Sequence, residues 1–215
     1  MNPIPRKERE RQAREEDIIN AAEKIFIEKS YSGASMEEIA KECEFTRKTL
    51  YQYFSNKEDL YYAVIIKGFT RLLAYFEKEI KNGTTGFEKL QNIGFAYYKF
   101  YKDFPGTLNL MNYVGYVKSK KENIHKHEEF NKITNLVAQT IAKIIDEGKS
   151  DGSIRTDIDT MSATLSSEFL TTGFFNMLSV SGATFMSHFS LNEDDFIHFN
   201  ITLLSGIFRN KNDML

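Results

Sequence analysis

Ser35-Met-Glu-Glu-Ile-Ala-Lys-Glu-Cys-Glu-Phe-Thr-Arg-Lys-Thr-Leu-Tyr-Gln-Tyr-Phe-Ser-Asn-Lys57 reads as two short capped helices and the start of a third. Ser35 precedes an apolar set at Met36, Ile39, Ala40 and Cys43, and Glu38 stands three residues after it, the signature of a capping box. Thr46 then caps a second helix whose inward residues are Leu50 and Phe54. The break between them, at Glu44 and Phe45, is no longer than the turn of a helix-turn-helix. Arg47, Lys48 and Thr49 fall on the first turn of the second helix. In a helix-turn-helix that helix lies in the major groove with its N-terminal residues at base edges, so the donors stand where bases would be read.

The residues Ile39-Ala40, Thr46, Thr49-Leu50-Tyr51, Tyr53-Phe54, Lys57 and Leu60 follow the pattern I-A, turn, T/S-x-x-T-L-Y-x-Y/H-F-x-x-K-x-x-L. On that pattern the chain resembles the TetR family of transcriptional repressors. The motif spans about the first 65 residues, and the rest agrees by helix plan and length. The resemblance implies an all-α fold of about nine helices. Residues 1–57 would form a three-helix, homeodomain-like helix-turn-helix domain with an N-terminal arm, and residues 58–215 a ligand-binding and dimerisation domain. It also implies DNA contacts from Ser35, Thr46, Arg47, Lys48, Thr49, Tyr51, Tyr53 and Lys57. Tyr51, Tyr53 and Lys57 would grip phosphates, while Arg47 and Lys48 would read base edges, since Arg and Lys pair with guanine. Two positions depart from the family pattern: Ser30, after the first helix, and Glu44, in the turn, stand where the family usually has Gly. Both are expected to be left-handed, which costs a residue with a Cβ roughly 1 kcal/mol.

With 215 residues and 41% hydrophobic content, the chain is long enough to bury a full core in one or two domains. No run approaches the ~20 apolar residues of a membrane span and the N-terminus is charged, so a cytoplasmic protein without membrane partners is expected. The single cysteine, Cys43, lies on a core-facing position and reads as packing. A formal net charge of −2 would ordinarily argue against a nucleic-acid partner, because DNA affinity rests on phosphate neutralisation. Residues 1–57 hold 11 Lys+Arg and 11 Asp+Glu, so local placement must carry the interaction. Arg6, Lys7, Arg9, Arg11 and Arg14 lead in, and Arg47, Lys48 and Lys57 sit at the motif, with the acids between them. Residues 6–14 read equally as a solvated helix extension held by a Glu10–Arg14 pair or as a basic arm reaching DNA.

Apolar spacing predicts a first helix from near Arg11 to Lys29 and a long helix opened by the pair Ser55 and Glu58 and running to Lys81. An aromatic-rich helix should follow from Phe87 to Phe104, ended by Pro105-Gly106, and then a shorter piece from Leu108 to about Tyr116. A helix from about Lys126 to Glu147 and a break at Gly148–Ser153 come next. Two closing helices are expected at about Asp159–Ser181 and Asn192–Arg209, with no strand pattern anywhere.

A single helix-turn-helix makes few contacts, and such proteins dimerise onto half-sites ~34–36 Å apart, which implies a homodimer on an inverted-repeat operator of double-stranded DNA. The last two helices are the candidate interface, through Leu165, Phe169, Gly173, Phe196, Phe199, Leu203 and Ile207. Aromatic content is 13% without Trp, and the hydroxyls of Tyr98, Tyr101, Tyr113 and Tyr116 fall in its densest stretch. That composition fits either a dense core or a cavity for an apolar or aromatic small-molecule effector. The candidate walls are Phe69, Leu73, Phe95, Tyr98, Tyr101, Leu108, Met111, Tyr116, Phe130, Thr134, Phe169 and Met177.

No phosphate loop, cysteine pair or nucleophile–base motif is present, so neither an enzyme nor a cofactor is expected. His125 and His127 lie two apart, on different sides of a helix, and read as solvated or capping residues with no metal between them. Two regulatory readings remain. One is a repressor released from DNA by an apolar ligand, which requires an enclosed cavity. The other is a dimeric DNA-binding regulator controlled by a protein partner, which requires a solid core with an exposed apolar patch.

Overall fold

The computed structural model describes residues 5–113 and 126–210, and of residue 113 the backbone only. Tyr116, His125 and the side chain of Tyr113 therefore lie outside the described residues. The fold is all-α. In chain order the described helices are α1 (Arg6–Gly33), α2 (Met36–Glu42), α3 (Arg47–Tyr53), α4 (Lys57–Ile80), α5 (Gly86–Asp103), α6 (Pro105–Tyr113), α7 (His127–Asp151), α8 (Thr160–Phe189) and α9 (Glu193–Gly206). The chain divides into two compact units, Met1–Gly68 with Tyr113–Lys132, and Phe69–Asn112 with Ile133–Leu215. This division falls inside α4, whereas the expected functional division at residue 57 follows the end of the helix-turn-helix motif.

In the first unit α1, α2, α3 and the start of α4 close around Ile18, Ala22, Phe26, Ile39, Leu50, Phe54, Leu60 and Tyr61, all with essentially no exposure. Phe26 meets the Tyr61 ring edge-on at 5.1 Å. The local signals for α2 and α3 act as the residues suggest. Ser35 and Glu38 form the reciprocal capping box, and Thr46 accepts from the backbone N–H of Thr49. At α4 the cap differs from expectation: Asn56, rather than Ser55, accepts from the N–H of Asp59 at 2.8 Å. Ser55 instead donates its N–H and hydroxyl to the Asp59 carboxylate. α1 starts earlier than expected, at Arg6, where an Arg6–Glu10 pair at 2.8 Å, rather than Glu10–Arg14, supports its first turns.

Two strained backbones flank α2. Glu44 has φ 57°, and around it Phe45 N–H donates to the Ala40 carbonyl and Glu44 N–H to the Lys41 carbonyl. That is the Schellman arrangement, in which the residue after the C-cap must be left-handed. Ser30 has φ 58° and ψ 171°, a region essentially reserved for Gly, and it separates the last turn of α1 from the rest of that helix. The Lys57 ammonium reaches back across this bend to the carbonyls of Tyr31 (2.8 Å) and Ala34 (2.9 Å) and lies over the Tyr31 ring. One side chain at the start of α4 thereby ties down the chain leaving α1.

In the second unit α5 packs against α9 and α8, and α8 against α9. The start of α5 crosses α7 at a pair of glycines, since a Cβ on Gly86 would lie 2.1 Å from the Gly148 nitrogen. There Gly86 N–H donates to the Asp151 carboxylate and Phe87 N–H to the Ser153 hydroxyl. α7 therefore continues to Asp151 through the expected break at Gly148, because that glycine serves a helix crossing. Pro105 opens α6 rather than merely ending α5, and Phe104 alone separates the two. α8 runs past Ser181 to Phe189, where left-handed Ser190 stops it. The segment after α7 makes an isolated bridge, Ile154 with Arg209, which no alternating pattern announced.

Ser30→Gly is expected to stabilise the chain in urea denaturation by about 1 kcal/mol, the relief of strain (~1–3 kcal/mol) less the added freedom of the unfolded chain (~0.4–1 kcal/mol). Glu44→Gly should gain less, because a left-handed αL conformation costs only ~1–2 kcal/mol. A loss of stability in Ser30→Gly would show the bend to be unstrained. Lys57→Met removes two charge-assisted hydrogen bonds and should destabilise by about 2–3 kcal/mol; an unchanged urea midpoint would show that the tie contributes nothing.

Candidate functional site

The surface formed by α2, the turn and α3 gathers most of the expected DNA-contacting residues. Arg47 and Lys48 are exposed at the start of α3, and Thr49 is half-buried with its hydroxyl 2.9 Å from that of the exposed Thr46. Tyr51 is exposed and Tyr53 half-buried. Lys48 makes no hydrogen bond or ion pair among the described residues. Arg47 is held by an ion pair with Glu37 at 2.5 Å and lies over the Tyr51 ring. Two expected phosphate or DNA ligands are occupied inside the protein. The Ser35 hydroxyl serves the capping box, donating to Glu38 at 2.8 Å, and the Lys57 ammonium holds the carbonyls of Tyr31 and Ala34.

The second unit contains a cavity of about 310 Å³ lined from α4 to α9 and by Phe208. Leu72, Phe76, Leu90, Ile93, Val137, Ile141, Phe175 and Ile201 supply most of its wall. Its polar lining is sparse. The Gln91 amide donates to Ser205 at 3.3 Å, and the hydroxyls of Tyr97 and Thr172 lie 3.4 Å apart. Burial pushes the Tyr97 phenol up to about 12, against a smaller opposing effect of the Thr172 hydrogen bond, so it stays a neutral hydroxyl. Glu168 also lines the cavity, and burial raises its carboxyl above the ordinary range. The Asn112 side-chain nitrogen, on the same wall, is buried without a hydrogen-bond partner.

Of the expected walls, Phe69, Met111 and Thr134 line this cavity. The other described ones lie elsewhere. Leu73 and Leu108 are buried but are not on its wall. Phe95 stacks against His198 (5.3 Å), Tyr98 donates to Asp194, and the Tyr101 ring meets Phe175 at 5.3 Å. Phe130 belongs to the first unit and packs edge-on to Tyr62 at 5.2 Å. Phe169 and Met177 are 77% and 57% exposed, because they lie on the outer side of α8. The residues missed on α5 are Leu90, Ile93, Gly94 and Tyr97, which share one helical face by their spacing. That periodicity distinguishes Tyr97 from Tyr98 but not from Tyr101, which lies four residues on along the same face, and nothing local marks Asn112 or Glu168.

α8 and α9 carry a broad exposed apolar face. Among the expected interface residues, Leu165, Phe169, Phe199, Leu203 and Ile207 are exposed, and a Cβ on Gly173 would meet nothing within 4 Å. Phe196 is half-buried against Phe174. Met161, Val180, Phe185 and Phe189 extend the face along α8. Among the described residues no group of three or more His, Cys, Asp or Glu could hold a metal, and no helix is long and apolar enough to cross a membrane.

The model of the tetR family of bacterial regulatory proteins matches residues 18–64, which contain most of α1, all of α2 and α3, and the start of α4. Over 142 residues, 66% of this chain and 71% of the relative, it is 27% identical to the fatty acid metabolism regulator protein of Bacillus subtilis. Over 64 residues, 30% of this chain and 33% of the relative, it is 42% identical to the transcriptional regulator UidR of Escherichia coli. In structure it is similar to the transcriptional regulator FadR of Bacillus subtilis, solved in complex with stearoyl-CoA. The TM-score is 0.68 at 20% identity, covering 88% of this chain and 96% of that one. A capped helix-turn-helix with its basic tip exposed, followed by an all-helical second unit, is thus similar to the tetR family of bacterial regulatory proteins, whose model matches it over residues 18–64.

Proposed function

We propose that the chain acts as a homodimeric, sequence-specific repressor, released from an inverted-repeat operator when an apolar small molecule enters the cavity of the second unit. TetR-family regulators generally bind DNA and are released by small ligands. The observation that carries the finer reading for this chain is the largely apolar cavity of about 310 Å³, at the lower end of the ~300–1,000 Å³ typical of ligand pockets. A solid core would have favoured control by a protein partner. The relatives support an apolar effector, since one is named for fatty acid metabolism and another was solved with stearoyl-CoA.

In this reading residues 1–57 read DNA, with Arg47 and Lys48 at base edges and Thr46, Thr49, Tyr51 and Tyr53 positioning the backbone. Residues 58–215 bind the effector and pair with a second copy through Leu165, Phe169, Phe199, Leu203 and Ile207. Such an isologous contact between helix pairs would cover the apolar face that a single chain leaves open. Release follows from linkage: a ligand that fits better when the two reading heads are wrongly spaced lowers DNA affinity by the same coupling, typically ~1–3 kcal/mol. α4 belongs to both compact units and is the element through which cavity and DNA reader share a helix.

Selection of bound sequences from random DNA by the full chain should return two inverted half-sites spaced by a whole number of helical turns. Lys48→Ala should relax preference at one base pair per half-site, costing about 1–3 kcal/mol there. Leu203→Glu should yield monomers in sedimentation and lose selective binding. Single half-sites bound by a monomeric wild-type chain would contradict the proposal.

A further inference from the structure

Resting on that reading of the cavity, we infer that its effector is a lipophilic cation: an apolar body bearing a protonated amine that pairs with the Glu168 carboxylate. Among the described residues the lining contains one carboxylate and no lysine, arginine or histidine. Glu168 makes no hydrogen bond or ion pair among the described residues, whereas the carboxylates of Glu23, Glu79 and Glu147 in this chain are each paired with a lysine. Glu168 is half-buried on the wall of this largely apolar space, and a carboxylate partly withdrawn from water without a partner is costly.

The sign of the missing charge follows from the same lining. An anionic head group would bring a second negative charge beside Glu168 with nothing to neutralise either, and would enter only with one of the two protonated. A neutral apolar molecule fills the volume but leaves Glu168 as it is. A protonated amine supplies both the opposite charge and the donors that a carboxylate accepts, and it draws the raised carboxyl back toward its ionised form. The Tyr97 and Thr172 hydroxyls, already near one another, compete little for such a ligand.

Three probes of equal chain length separate head group from body: decylamine, decanol and decanoate, each below its micelle concentration. Binding is measured by calorimetry on the full chain, and release by anisotropy of labelled operator. Decylamine should bind at least about tenfold more tightly than decanoate, with decanol between, and should release DNA at the lowest concentration. In Glu168→Gln, a near-isosteric change, the amine preference should fall to within about threefold while decanol binds as before. Decanoate equal to or tighter than decylamine, or an amine preference unchanged in Glu168→Gln, would overturn the assignment while decanol binding upholds the cavity as an effector site. If none of the three binds or releases DNA, the cavity reading itself fails and the inference with it.

Discussion

The turn between α2 and α3 allows four residues for the chain to change direction, and the cheapest closure of so short a connection is a Schellman motif with a left-handed residue at Glu44. Phe45 N–H and Glu44 N–H satisfy two carbonyls of α2, and Thr46 then caps α3 immediately. The surface proposed to read DNA depends on that closure, because it fixes where α3 begins and hence where Arg47 and Lys48 stand. A looser turn would let α3 rotate on Leu50 and Phe54, which anchor it in the core. The strain at Glu44 is thus tolerated for the direction it imposes.

Ser30 and Lys57 play a comparable part at the other end of α2. The bend at Ser30 turns the chain out of α1, and the Lys57 ammonium gathers the carbonyls exposed by that bend. The lysine is therefore a fastening between the start of α4 and the end of α1. Its two carbonyl contacts span 26 and 23 residues of sequence. A lysine at the head of a helix, next to a DNA-reading motif, looks from sequence like a phosphate ligand, and only the tertiary path of the chain gives it another occupation.

What could be read from the residues divides along the same line. The capping box at Ser35 and the Thr46 cap are encoded within a few residues, whereas the positive φ at Ser30 and Glu44 was implied only by the family resemblance, since neither Ser nor Glu signals it locally. Helix number was also legible, because apolar spacing at period 3.6 persists in the long helices. Boundaries failed where a residue type had a second use: Gly148 marks a crossing with Gly86 rather than a break, and Pro105 begins a helix. The cavity wall failed for a different reason. The Tyr98 hydroxyl points to a wall role, but its side of α5 faces Asp194, while the face carrying Leu90, Ile93 and Tyr97 borders the void, and Tyr101, one turn further along that face, packs on the wall residue Phe175 without lining the void. Burial of Glu168 and Asn112 depends on how several helices meet, for which no local signal exists.

The ion pair between Arg47 and Glu37 gives the reading head an internal competitor for its own strongest donor. A guanidinium already satisfied by a carboxylate gains little by moving to an isolated phosphate, since exposed pairs and single phosphate contacts are of similar, modest worth. A two-pronged match to a guanine edge offers more than the carboxylate does. In the proposed reading, random duplex would thereby be discounted while the correct site would not, and in a paired assembly the discount would apply at each half-site. A segment with as many acids as bases can in this way search a genome without adhering to it.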